Sequence, residues 1–479
     1  MSSAAIRRYI SVSVVIVAVI LPTVLLGQIT FEKTYGGSND EYGWCAQPTP
    51  DDGYIIVGST RSFGNGGDVY LIKTDSLGDT LWTRTYDNGG GDIGLWVEQT
   101  GDGGYIISGA SGWPLYLIKT DSLGNVVWEN TYDGTGCGYC VREVSDGGFV
   151  VVGSWGNRTF LVKTNSLGGL VWLRIYGGGW EDDGRSVCES PDGGYAIVGY
   201  TFNYMTGCST DVTMIKVNSN GDSLWGRRYG GLLDDWGYSV QSTADGGYII
   251  VGVTRSFSLH GYDDVYVIKT DSLGWSQWSG PYGGPFIDFG TSVDVTSDGG
   301  YIVGGFTGSI GAGGWDFYLL KLDSLGDSIW ATAYGGTDRD RGNCVREASD
   351  GGYIIVGSTY SFGAGLHDIY LVKTDGNGEV GITEEDPKTR AESKGFFFPQ
   401  NHPNPFHHST LISYSLPITT QVNLTIHDIT GRLVETLANE TKQPGIHNVR
   451  WNRRTNSSGV YFYRLKVGEF VATRKMVVL

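Results

Sequence analysis

Proline is scarce in this chain, at 13 of 479 residues, and methionine is scarcer still, at four. Histidine occurs seven times and cysteine six. Basic residues are outnumbered, 34 Lys and Arg against 51 Asp and Glu, for a formal net charge of −17. Helical apolar periodicity is missing from the body of the chain. Each shortage excludes something. A phosphate backbone calls for clustered Lys and Arg, so no nucleic acid is expected as a partner. No P-loop, H-E-x-x-H, G-x-S-x-G or paired metal-ligand spacing is present. Five histidines (His402, His407, His408, His427 and His447) fall in the last eighty residues, leaving His260 and His367 for any earlier site. Ser/His/Asp catalysis needs a histidine beside a nucleophile, and nothing singles one out. What the chain does have is 76 Gly, 29 Tyr and 15 Trp. Disordered chains are poor in aromatics, so this is a folded, turn-rich protein.

The start reads "MSSAAIRRYISVSVVIVAVILPTVLLGQ". Arg7 and Arg8, then the apolar run Val14 to Leu26, give the layout of a secretory signal peptide over 1–28. The other reading is an uncleaved anchor, since the run from Tyr9 is nearly long enough to span a membrane. No cysteine follows the run, which argues against a lipid-modified start. Disulfides are permitted in an exported chain, but spacing alone does not pair Cys45, Cys137, Cys140, Cys188, Cys208 and Cys344. Cys137 and Cys140 form a C-x-x-C without a second pair or a flanking histidine. Small buried residues are a better reading there than zinc.

Between the ends, one phrase recurs. "DGGYIIVGST" at Asp350 returns as "DGGYIIVGVT" at Asp245 and as "DGYIIVGST" at Asp52. The glycine before the recurring aromatic falls at Gly53, Gly104, Gly148, Gly194, Gly247, Gly300 and Gly352, at intervals of 44 to 53 residues. Each unit reads as four strands. The first ends at the Asp-Gly-Gly hairpin turn. The second is a fully apolar run, as in a strand buried on both faces. A third strand such as "DVYLIKTD" leads through "DSLGD" to a fourth such as "LWTRTY". Four strands in about fifty residues describe one blade of a β-propeller. Stacked blades cover each other's apolar faces, and a closed ring leaves no end exposed.

The fourth-strand tyrosines are Tyr35, Tyr86, Tyr132, Tyr176, Tyr229, Tyr282 and Tyr334. The first precedes any Asp-Gly-Gly, and the last unit stops after three strands. "ITFEKTY" (29–35) should therefore complete the last blade. This predicts an all-β fold, a seven-bladed propeller over 29–378, with cleavage before Ile29. Phe31, Trp82, Trp128, Trp172, Trp225, Trp278 and Trp330 each stand four residues before a tyrosine. A large aromatic at every blade is what packing wants. The rival reading of these residues is a sugar-stacking platform.

Two features suggest binding. Six residues after the tyrosines stand Glu41, Asp92, Asp182, Asp235, Asp288 and Asp340, with Gly138 breaking the series. Asp68, Asp211, Asp264, Asp316 and Asp368 open third strands on the same face. These carboxylates either form a cation-attracting rim suited to calcium or each close their own turn. No other cofactor is expected. Loops between second and third strands are short in units two and three ("SGWP", "SWGNR"), which predicts a notch near Trp113 and Trp155. Long surface loops are where binding usually resides, so a glycan or surface-protein ligand is expected at that face.

The phrase Asp-x-x-Gly-x-x-x-Trp resembles the tryptophan-docking motif of pyrroloquinoline-quinone dehydrogenase propellers. That family has one more residue between Asp and Gly, and Asn165 and Asn218 replace the Asp in two units here. The resemblance implies blade packing, and no quinone- or calcium-binding residue of that family is matched. The whole unit also resembles a repeat family common in exported bacterial proteins.

After a charged linker (379–395, "GITEEDPKTRAESKG" within it) the composition turns basic. Short strands separated by turn signals predict a small β-sandwich over 396–479. "NHPNPF", "YSLP", "IHDITGRLV", "SGVYFYRL" and the final "RKMVVL" resemble the C-terminal sorting domain of the bacterial type IX secretion system. That implies recognition by the export machinery and release or attachment at the cell surface. The expectation is a secreted or cell-surface, monomeric, non-catalytic propeller for binding or scaffolding. The alternative is a polysaccharide-acting enzyme or a degenerate quinoprotein.

Overall fold

The computed structural model describes residues 28–177, 182–203 and 209–380, and within the tail 406, 408–416, 419–428, 432–443, 445–452, 458–467 and 470–478. The expected signal peptide up to residue 27, most of the linker, Cys208 and the "NHPNP" run lie outside the described residues. Every regular element among the described residues is a strand.

Seven four-stranded antiparallel sheets fill 31–374. Six are continuous in sequence: 41–86, 92–132, 137–176, 182–229, 235–282 and 288–334. The seventh takes three strands from 340–374 and its outermost from Phe31–Tyr35. Phe31 pairs with Lys373 and Tyr35 with Ile369, antiparallel and without a break in register. The segment Phe31–Tyr35 thus supplies the outer strand of the sheet built from the far end of the propeller region. Gln28 belongs with the ring too. Its amide donates to the Asp350 carbonyl at 2.5 Å, and its carbonyl accepts from the Gly376 N–H at 2.8 Å.

The second and third strands of each sheet are apolar runs buried along almost their whole length, as in Tyr54–Thr60 and Asp68–Thr74. This is the burial on both faces that those runs require. Each innermost strand carries a bulge at a glycine: Gly43, Gly94, Gly138, Gly184, Gly237, Gly290 and Gly342. Gly138 is therefore the bulge glycine of its sheet. The preceding loop there is two residues shorter, which is why the acidic series fails at that point.

The tryptophans dock where the repeat places them. A Cβ on the next sheet's turn glycine would lie 2.6–2.9 Å from the ring: Gly124 from Trp82, Gly168 from Trp128, Gly221 from Trp172, Gly274 from Trp225, Gly326 from Trp278 and Gly378 from Trp330. Phe31 does the same against Gly78 at 2.6 Å. All seven glycines have φ between 73° and 90°, a region open to glycine at little cost.

The tail forms a four-stranded sheet (Thr420–Asp428, Leu433–Lys442, Gly459–Val467 and Phe470–Val478) and a two-stranded one (Ser409–Leu416 and Gly445–Asn452). Their common core holds Phe406, Tyr414, Leu424, Trp451, Tyr463 and Met476.

Candidate functional site

The face carrying the loops between second and third strands holds a cleft of about 610 Å³. It sits where the two ends of the ring meet. Asp40, Tyr42, Trp44 and Arg61 come from the first sheet and its lead-in, Gly91, Asp92, Ile93 and Gly112 from the second, Phe306 from the sixth, and Arg339, Arg341, Tyr360 and His367 from the seventh. The volume suits a small-molecule or short-oligomer ligand.

Aromatic surface is the cleft's first asset. Phe289 stacks on Phe306 at 4.8 Å between centroids and 11° between planes, and Phe306 meets Trp315 at 5.3 Å. Tyr360 and Tyr42 flank the His367 ring at 3.6 and 4.6 Å. Trp44 is 36 % exposed and Tyr360 48 %, so both present ring area to a ligand.

Positive charge is the second asset. Asp40 is already engaged, by Arg61 at 3.2 Å and by His367 Nδ1 at 2.8 Å. The Tyr42 hydroxyl lies 3.2 Å from the same ring nitrogen. Arg339 and Arg341 lie 4.8 and 4.4 Å from the Trp315 ring, and among the described residues neither joins an ion pair. Desolvation first, then the adjacent Arg339 charge, pull the Arg341 guanidinium below its ordinary value. Two unneutralised guanidiniums fixed by stacking favour a planar anionic partner. They do so on a protein that is otherwise strongly acidic.

The acidic series has a different place. Glu41, Asp92, Asp182, Asp235, Asp288 and Asp340 are all at most 7 % exposed. Each accepts hydrogen bonds from its own turn. Glu41 takes the Gly37 N–H at 2.7 Å and the Thr60 hydroxyl at 2.8 Å. Asp235 takes the Gly231 N–H at 2.9 Å and the Thr254 hydroxyl at 2.5 Å. Asp340 takes the Gly336 N–H and the Ser361 hydroxyl, both at 2.8 Å. Thr201 and Thr307 donate to Asp182 and Asp288. Asp68, Asp211, Asp264, Asp316 and Asp368 are equally buried. These carboxylates fix the loops that frame the channel mouth, and of the first series only Asp92 lines the cleft.

Trp113 is 87 % exposed and Trp155 48 %. Neither lines the cleft, which opens beside Gly112 and reaches back across the joint of the ring. Trp113 stands on the short loop of the second unit and Trp155 on that of the third. Sequence reasoning missed Tyr42, Trp44, Trp315, Arg339, Arg341 and Tyr360. One signal was available: "DRDRG" puts Arg339 and Arg341 on either side of Asp340, and no other unit brackets its acid with arginines.

Deeper in the channel, the Trp96 ring lies between Arg142 and Arg346, whose guanidinium carbons are 4.8 and 4.9 Å from its centroid. Arg142 is paired with Glu98 at 2.9 Å.

Residues 401–479 match the family described as the secretion system C-terminal sorting domain. A curated relative, the regulatory protein FlaEY of Caulobacter vibrioides, is 28% identical over 173 residues, which is 31% of this chain and 18% of that protein. The chain thus spans under a fifth of that relative's length. Among solved structures, the type-IX secretion component PorZ of Porphyromonas gingivalis is 13% identical, with a TM-score of 0.42 over 93% of this chain and 60% of that one. The Dos1 propeller is 12% identical, with a TM-score of 0.45 over 74% and 98%. The chain is a β-propeller followed by a sorting domain of the type IX kind. The match of the tail implies interaction with the export machinery and passage to the cell surface or out of the cell.

Proposed function

We propose that the exported propeller is a non-catalytic surface binding protein that takes an acidic glycan in the cleft at its ring joint. The observation that carries this reading is the pair Arg339 and Arg341, each stacked on Trp315, in a cleft that Trp44, Tyr42 and Tyr360 also line. Sugar rings present apolar faces that rest on aromatic side chains, and their carboxylate or sulfate groups suit guanidinium. A neutral glycan would leave two guanidiniums without a counter-charge, since among the described residues neither joins an ion pair. The ligand is held at the mouth of a rigid ring, which lowers the ordering cost of binding.

The test is titration calorimetry of the full chain with uronate-containing, sulfated and neutral oligosaccharides. Acidic oligosaccharides should bind, weaken with added salt, and lose at least tenfold in affinity in the Arg339→Ala/Arg341→Ala double variant. Equal binding of neutral and acidic sugars, or no binding of either, would sink the reading.

A further inference from the structure

The second sheet departs from the repeat at two places that meet in space. After the fourth-strand tyrosine, five units have glycine: Gly36, Gly177, Gly230, Gly283 and Gly335. That glycine is the gap between two carboxylates from neighbouring sheets. A Cβ on Gly283 would lie 2.4 Å from Asp288 Oδ2 and 2.6 Å from Asp264 Oδ1. At the joint between the first and second sheets the same place is Asp87, a third carboxylate. At the end of the second strand, five units have threonine, and in four of them its hydroxyl bonds the paired acid. Here the residue is Ser111. Its hydroxyl instead accepts from Asn88 Nδ2 at 3.3 Å.

The consequence falls on Asp92. Its Oδ2 accepts the Asn88 N–H at 2.7 Å, but its Oδ1 is buried with no hydrogen-bond partner, on a side chain 0 % exposed. Asp68, Asp87 and Asp92 each bring one oxygen within 4.8 Å of the other two. Among the described residues none of the three joins an ion pair. Three carboxylates so close, two of them buried, repel one another strongly unless a cation sits between them.

We propose that Asp68, Asp87 and Asp92 hold a calcium ion at this joint. The donors are all oxygen, with no histidine or thiol among them, which sets zinc aside. They come from two glycine-rich loops, "NGGD" and "DNGGGD", and such irregular supports suit calcium's flexible shell of six to eight oxygens better than the strict octahedron of magnesium. A Cβ on Gly66, Gly89, Gly90 or Gly91 would meet nothing within 4 Å, so water can reach the site and complete the shell. The site borders the cleft, sharing Asp92, Gly66 and Gly91 with it, and calcium binding is measured with no glycan present.

Calorimetry on the chelator-treated full chain should show one calcium bound, with magnesium at least tenfold weaker, and calcium should raise the melting temperature. Asp87→Gly restores the residue of five other units, the third having Asp133 there. With one repelling carboxylate gone, the variant should melt at or above the wild type in chelator yet lose at least tenfold in calcium affinity, and Asp87→Asn should do likewise without touching the backbone. No heat and no melting shift up to millimolar calcium would overturn the proposal. So would calcium binding left unchanged by both substitutions.

Discussion

The hydroxyl of Tyr35 donates to the carbonyl of Gly78 at 2.7 Å, across the joint where the two ends of the ring meet. The same bond recurs from Tyr86, Tyr132, Tyr176, Tyr229, Tyr282 and Tyr334 to the turn glycine of the next sheet, at 2.5–2.8 Å. Each outer strand is therefore fastened twice to its neighbour, by an aromatic ring on the glycine and by a tyrosine on that glycine's carbonyl. At the joint the fastening residues are Phe31 and Tyr35. Tyr35→Phe leaves the packing and removes one buried hydrogen bond, so it should cost about 1 kcal/mol. Phe31→Ala removes the wedge itself and should cost about 3–5 kcal/mol. Denaturant melts of the two variants should rank in that order, and equal losses would show that the bond and not the ring closes the joint.

Trp172 and Gly221 offer a test away from the joint. Gly221 has φ 78°, and a Cβ there would approach the Trp172 ring to 2.9 Å. Gly221→Ala adds strain and a clash, and should cost about 1–3 kcal/mol. Trp172→Ala should cost about 3 kcal/mol, since the ring is only partly buried. In the double variant the losses should fall short of the sum, because the alanine methyl no longer meets a ring. Strict additivity in thermal or denaturant unfolding would separate the two residues and contradict the docking geometry.

Cys45 and Cys344 lie on the innermost strands of the first and seventh sheets, with sulfurs 3.4 Å apart and both side chains buried. They span the same joint from the channel side. Incubating the chain with oxidised glutathione is expected to join them. Cys344, whose thiol the hydrogen bond with Cys45 holds below its ordinary value while burial pushes Cys45 up, attacks glutathione disulfide as the thiolate and releases one glutathione, then Cys45 displaces the second, leaving the protein lighter by two hydrogens. Intact mass and peptide mapping under non-reducing conditions check this. A mixed disulfide that never resolves, or a bond mapped to other cysteines, contradicts the geometry.

Much of this fold is legible because a repeat states its packing seven times. The wedge at Trp82 and its fellows, the turn glycines and the latch at 29–35 all follow from spacing. Pairs that need register are not legible. Lys73 and Asp51 read separately as a strand residue and a turn residue. The antiparallel pairing of Tyr54 with Thr74 brings them to 2.9 Å, and the same buried ammonium meets the turn aspartate in all seven sheets, at 2.7–2.9 Å. The cleft is harder still, since Trp44 and Arg341 become neighbours only when the ring closes. The carboxylate series was visible as a series, but its burial depends on hydroxyls such as Thr60 and Thr254, which lie one strand away.

Those lysine-bound turns and the crowded carboxylate pairs pull stability in opposite directions with pH. Burial alone would push Asp102, Asp245 and Asp298 up. Their lysine, threonine hydroxyl and following glycine N–H prevail and hold each at about 2, against an ordinary 3.8. A folded value below the unfolded one stabilises the fold fully above about pH 4, and that contribution fades as pH falls toward 2. Asp316 is the reverse case. Burial, with the nearby Asp340 adding to it, pushes it up to about 6, and Asp264 and Asp368 are raised by the same causes, burial first and a facing carboxylate after it. A folded value above the unfolded one gives stability that is complete below about pH 4 and lost as pH rises through about 6. Melting temperature measured in chelator should therefore rise as pH falls from 7 to about 5, and drop steeply below about 4. Asp316→Asn should flatten the upper limb and leave the acid limb in place. A melting temperature that climbs steadily from pH 4 to 8 would mean that the paired carboxylates carry no strain.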